Sequence, residues 1–110
     1  MVHITDAHFD MKYAVGADSQ CSEFNIICCR ADVGFPTDPA RQARPTGEYH
    51  CDLPYHTIEL MGDFINKEIK PDTVVWTGDI TAHDIWKYTL EEVEAYTAKF
   101  GGWLQENFSG

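Results

Sequence analysis

Two short stretches carry side chains whose types and spacing suit metal chemistry. Val74-Val75-Trp76-Thr77-Gly78-Asp79 is an apolar, β-branched run that stops at Gly-Asp, and His83 follows four residues later. At the N-terminus, Val2-His3-Ile4-Thr5 runs into Asp6-Ala7-His8. In Asp-x-His both side chains can point to one side of an extended turn, which suits bidentate binding of one cation. A carboxylate at a neighbouring strand end, Asp79, can then bridge to a second cation. Mixed oxygen and nitrogen ligation suits zinc, iron or manganese better than calcium or magnesium. Two ions about 4 Å apart can activate a water and stabilise phosphoryl oxygens during an in-line displacement. Gly78 permits a sharp turn and a close backbone approach. His83, with an ordinary pKa of about 6.5, suits protonation of a leaving-group oxygen.

Each of these residues also has a plainer explanation. Asp6 and Asp79 can be turn caps, since Asp is common after strands, and His8 and His83 can be solvated loop residues. Their joint placement favours metal, because ligands of open α/β sheets gather outside the carboxyl ends of the strands. His3 alternates with apolar neighbours and is expected to be a packed strand residue. His50 and His56 have no assigned role beyond surface. Asp10 is a candidate supporting or loop residue, and Trp76, Trp86 and Tyr88 are candidates for core or site wall.

The elements that must position these side chains follow from periodicity. Residues 1–5 and 73–77 predict two interior strands, apolar on both faces. Asp52 is a candidate N-cap for a helix that tolerates Pro54 in its first turn. Ile58, Met61, Phe64, Ile65 and Ile69 form its apolar stripe, and Pro71 stops it. A last helix is expected from Thr89, with Glu92 completing a capping box and Val93, Tyr96, Phe100, Trp103 and Leu104 on its apolar face. Gly101-Gly102 should weaken or break it. Strand, long connection, helix and strand together predict a right-handed parallel crossover in an α/β fold. Two strands and two helices cannot close a core, so the sequence reads as part of a larger α/β layer.

The chain has 110 residues and a formal net charge of −10, enough for one small domain. That acidity excludes nucleic-acid binding through bulk charge. It does not exclude a phosphate substrate, because a bound metal can invert the local sign. No apolar run approaches the roughly 20 residues of a transmembrane segment. The chain enters a strand at once, with no secretory signal in view.

The four cysteines, Cys21, Cys28, Cys29 and Cys51, share an irregular stretch over residues 16–50 and its margin. Their even count and clustering favour a disulfide framework and an oxidising compartment. Of the three pairings, the one that joins adjacent Cys28 and Cys29 is strained, which leaves two. The rivals are a structural zinc site, which lacks any Cys-x-x-Cys, and free thiols. Each bond would stabilise by about 2–4 kcal/mol. Asn107-Phe108-Ser109 is a glycosylation sequon compatible with export.

The blocks Ile4-Thr5-Asp6-Ala7-His8 and Trp76-Thr77-Gly78-Asp79 resemble the first two blocks of the calcineurin-like metallophosphoesterases. The run Gly78-Asp79-Ile80-Thr81-Ala82-His83-Asp84-Ile85-Trp86, the pair Cys28-Cys29 and the segment Cys51-Asp52-Leu53-Pro54 narrow the resemblance to the acid sphingomyelinase family. The resemblance covers most of residues 1–90. It implies a metallophosphoesterase α/β sandwich, here its first βαβ portion with a long disulfide-stapled loop. It implies two zinc ions, with Asp6 and His8 on one and Asp79 bridging both, and His83 near the leaving-group oxygen as an acid. It implies the pairs Cys21–Cys28 and Cys29–Cys51. The implied reaction is hydrolysis of sphingomyelin, a phosphodiester lipid, to ceramide and phosphocholine in a lysosomal or secreted glycoprotein.

The family's later blocks, Gly-Asn-His, a lone His and Gly-His-x-His, have no counterpart in the sequence. Its saposin-like membrane-engaging domain has none either. Residues 1–110 are therefore expected to be an N-terminal fragment of the catalytic domain, inactive alone, whose parent meets the membrane surface through regions outside this chain. The alternatives are a related phosphodiesterase acting on nucleotides or other phosphodiesters, and a secreted, disulfide-stapled binding module without chemistry.

Overall fold

β1 (Val2–Ile4) and β4 (Val74–Trp76) lie parallel, with Val2 beside Val74 and Ile4 beside Trp76. A second parallel pair joins β2 (Phe9–Asp10) to β3 (Leu53–Pro54). Two helices complete the mixed α/β fold, α1 (Tyr55–Phe64) and α2 (Leu90–Phe108). These elements come from a computed structural model that describes residues 1–22 and 26–108. The parallel pairing of β1 and β4 agrees with the expected crossover, and both strands are shorter than the sequence suggested.

The core is built where the apolar periods converge. Ile4, Phe9, Ile58, Ile65, Ile80, Tyr96, Phe100 and Trp103 are buried together. Phe9 is fully enclosed, with Tyr55, Tyr96 and Phe100 around its ring. The α1 stripe divides. Ile58 and Ile65 face inward, while Phe64 and Ile69 are exposed. A single π-helical turn over Ile65–Ile69 extends α1, and Lys70 ends it in the left-handed conformation just before Pro71.

Several local expectations are corrected. Pro54, not Asp52, occupies the N-cap position of α1, with no side-chain cap, and the Asp52 carboxylate is engaged elsewhere. Gly101-Gly102 do not break α2. Their neighbours Phe100 and Trp103 are buried, and that packing outweighs glycine's weak propensity. At the start of α2, the Thr89 hydroxyl accepts from the Glu92 amide at 3.1 Å, as a cap should. His3 is exposed rather than packed, its Nε2 2.8 Å from the Thr77 hydroxyl. Trp86 is exposed too, whereas Trp76 packs against the core.

The long loop is organised, not structureless. Disulfides join Cys21 to Cys28 and Cys29 to Cys51, the pairs the resemblance implied. Isolated bridges pair Tyr13 with Arg30 and Asp18 with Gln42, and Arg41 binds Asp18 at 2.6 Å. Arg30 is buried between two carboxylates. Its Nε and Nη2 hold both oxygens of Asp10, at 2.7 and 3.1 Å, and its Nη1 reaches Asp84 at 3.1 Å. Asp10, a supporting candidate in the sequence, is thus one of the two carboxylates of a structural ion cluster.

Candidate metal centre

Asp6 and His8 follow β1, and Asp79 follows β4. The parallel pairing of those strands therefore brings all three to one end of the sheet. Backbone bonds fix the match between the two loops. The Asp6 amide donates to the Gly78 carbonyl at 3.1 Å, and the Phe9 amide to that of Ile80 at 3.1 Å. One ligand atom from each of Asp6, His8 and Asp79 lies within 4.8 Å of the others. His8 Nε2 is 3.3 Å from Asp79 Oδ2 and 4.0 Å from Asp6 Oδ1.

The backbone bends sharply to achieve this. Asp6, His8 and Asp79 all have positive φ, at 53°, 35° and 59°, and Gly78 has φ 95°. Among L residues, aspartate tolerates this region comparatively well, and glycine is at home there.

The tautomer of His8 decides what the cluster can bind. Its Nδ1 lies 2.8 Å from the Thr81 carbonyl oxygen. A carbonyl can only accept, so Nδ1 carries the proton and the neutral ring presents a bare Nε2. That lone pair faces two carboxylates. Three electron-rich atoms converging without a donor among them fit a cation, and a carbonyl on the far nitrogen is the usual support for a metal-binding histidine. The Thr5 hydroxyl, 2.6 Å from Asp6 Oδ2, is the chief cause that holds the Asp6 carboxyl below its ordinary range.

His83 is brought to the same place. Its ring stacks on His8, with centroids 4.2 Å apart. Asp52, from the other end of the stapled loop, grips it twice. One carboxylate oxygen accepts from the His83 backbone amide at 2.7 Å and the other pairs with Nδ1 at 2.5 Å. An open cleft of ≈ 310 Å³ begins at this pair, with Tyr49, His50 and Ile26 on its walls.

The structure thus brings Asp6, His8, Asp79 and His83 together. Asn107 lies apart on α2, where its side-chain nitrogen donates to the Trp103 carbonyl at 2.9 Å. Ser109 of its sequon lies outside the described residues. His56 is exposed on α1 and joins no cluster among the described residues. The sequence did not disclose the partner of His83, because Asp52 is 31 residues away and its proximity to a helix start suggested a cap. Tyr88 was open to either core or wall. Its hydroxyl bonds both the Thr81 hydroxyl and the Ala82 carbonyl, and so braces the turn that orients His8.

No protein-family model matches the chain. Curated relatives do. The chain is 34% identical over 109 residues to sphingomyelin phosphodiesterase A of Dictyostelium discoideum, a match covering 98% of this chain and 17% of that protein. It is 39% identical over 93 residues to sphingomyelin phosphodiesterase of Bos taurus, covering 84% of this chain and 15% of the relative. Against sphingomyelin phosphodiesterase 1 of Caenorhabditis elegans the identity is 32%, over 98% of this chain and 18% of the relative. By sequence, then, the chain belongs to the sphingomyelin phosphodiesterase family, and it spans about a sixth of the length of the curated relatives it matches.

Proposed function

We propose that this chain supplies one face of a metal-dependent phosphodiesterase site, within the N-terminal part of a calcineurin-like catalytic domain of α/β sandwich type. In the whole protein that site hydrolyses the phosphodiester of sphingomyelin, releasing ceramide and phosphocholine. Asp6, His8 and Asp79 would hold the metal, with zinc the ion their donor set suits, and His83 protonates the leaving alkoxide oxygen. The observation that carries this reading is the convergence of His8 Nε2 with the carboxylates of Asp6 and Asp79 while Nδ1 is engaged by the Thr81 carbonyl. Mixed nitrogen and oxygen donors suit zinc. When bound, the metal polarises the phosphoryl group and lowers the pKa of an attacking water. The protein's own contribution is to hold the three donor side chains at one strand end and to set a second imidazole, His83, against that of His8. The names of the relatives, sphingomyelin phosphodiesterases, support the lipid substrate. The two disulfides support a lysosomal or secreted setting. No helix among the described residues is long and apolar enough to cross a membrane.

Zinc titration of the purified chain tests the site, and turnover of sphingomyelin against a nucleotide diester by a protein carrying the whole family length tests the substrate. Zinc bound by the chain and lost in Asp79→Asn supports the centre. Absence of binding, or binding indifferent to both Asp6→Asn and Asp79→Asn, leaves a binding module without chemistry. Faster turnover of the nucleotide diester would transfer the assignment to the related phosphodiesterases.

A further inference from the structure

The Asp52 carboxylate is largely buried, with its side chain 11% exposed, whereas the imidazole of His83 is 59% exposed. A nearly enclosed carboxylate is costly unless its oxygens are used. Asp52 uses both on one residue, the backbone amide and Nδ1 of His83. We propose that Asp52 is the positioning residue of His83. It fixes the ring as the Nδ1-protonated tautomer, so that Nε2 is the nitrogen that exchanges a proton with the leaving group.

The setting of Asp52 is rigid, as this role requires. The preceding residue, Cys51, is bonded to Cys29. The following residue, Leu53, donates its amide to the His8 carbonyl at 3.2 Å. The carboxylate is therefore registered against the backbone of His8, on whose ring His83 stacks. Arg30, next to Cys29, holds Asp84, the residue after His83. The Cys29–Cys51 bond thus joins the segment that holds His83 to the segment that holds its neighbour Asp84.

The tautomer inference rests on reading His83 as the proton donor only for its chemical purpose; the ring's protonation pattern can be read without metal or substrate. Free neutral histidine prefers the proton on Nε2, so the proposed pattern reverses the intrinsic preference. An asparagine at position 52 offers one acceptor oxygen instead of two. If the His83 amide keeps that oxygen, an NH₂ group faces Nδ1 and drives the proton to Nε2, the inversion known for Asp→Asn changes beside a catalytic histidine. The experiment is two-bond ¹H–¹⁵N correlation of the histidine rings in the 110-residue chain, above the pH at which imidazoles titrate. We expect a protonated Nδ1 and a bare Nε2 for His83, inversion in Asp52→Asn, and recovery in Asp52→Glu, which keeps two acceptors. A wild-type His83 protonated at Nε2 overturns the proposal, and so does a pattern unchanged in a folded Asp52→Asn. If Asp52→Asn does not fold, the wild-type spectrum decides alone. Loss of sphingomyelin turnover with the tautomer intact would count against the functional reading and leave the role of Asp52 standing.

Discussion

Arg30 and Asp84 stand 54 residues apart in the sequence and 3.1 Å apart in the fold, both almost without solvent. The same guanidinium takes both oxygens of Asp10, two residues beyond His8. It ties the loop of His8 to the loop of His83. Replacing Arg30 by alanine leaves two buried carboxylates without their cation, and losing one partner of a buried pair costs about 3–5 kcal/mol. Urea unfolding of Arg30→Ala should show a loss of that order. A loss below about 1 kcal/mol would mean that water reaches Asp10 and Asp84.

The metal centre predicts a linked pair of effects. Asp79→Asn keeps the shape and removes a charge, and His8→Ala removes the only nitrogen donor of the three. Each should weaken zinc binding by more than about tenfold, since even residues that merely support ligands are worth about 10–100-fold. Zinc that binds the native chain should raise its melting temperature, and a chelator should reverse the rise. Calorimetric titration and thermal melts with and without chelator check both.

One substitution, glycine to alanine, should have opposite signs at two places. A Cβ on Gly62 would sit 3.0 Å from Trp103 Nε1 and from Asn107 Oδ1, where α1 meets α2. Gly62→Ala should destabilise by about 1–3 kcal/mol through overpacking. A Cβ on Gly101 meets nothing within 4 Å. Gly101→Ala should stabilise by up to about 1 kcal/mol through helix propensity. Denaturant midpoints of the two variants give the signs directly.

Burial pushes the phenols of Tyr13 and Tyr96 up to about 12 each. Raised folded-state values favour the neutral phenol in the native chain. Their contribution to stability is complete below the ordinary tyrosine value of about 10 and declines as pH rises from there towards 12. Burial also raises Tyr55, so ultraviolet titration of the five tyrosines should show late-ionising groups with Tyr13 and Tyr96 among them, and stability should fall over that alkaline window. Early ionisation of all five would contradict the burial of Tyr96 beside Phe9.

Short-range patterns made the strand ends, both helices and the candidate ligands legible, because period and punctuation are local. Thr89 announced its helix through its spacing to Glu92, and Asp6, His8 and Asp79 stood out because each ends an apolar run. The contacts that arrange them are not local. The Thr81 carbonyl on His8 and the Asp52 carboxylate on His83 bridge 73 and 31 residues. No residue type marks a backbone carbonyl as a ring's partner. Gly101-Gly102 misled for a related reason. A weak local preference was overridden by the burial of Phe100 and Trp103, which depends on the partners α2 meets. Cys29 and Cys51 were legible as cysteines, but their pairing came from resemblance and not from spacing.

The positive φ angles of Asp6, His8 and Asp79 set stability against the proposed metal binding within the same three residues. Non-glycine residues held in that region cost of order 1 kcal/mol or more each. Glycine at any of them would relax the turn and make the metal-free chain easier to keep folded, while deleting a donor. A lineage selected for stability alone would be expected to shed these residues early. A stability screen run without zinc would therefore discard the very side chains proposed to hold the metal.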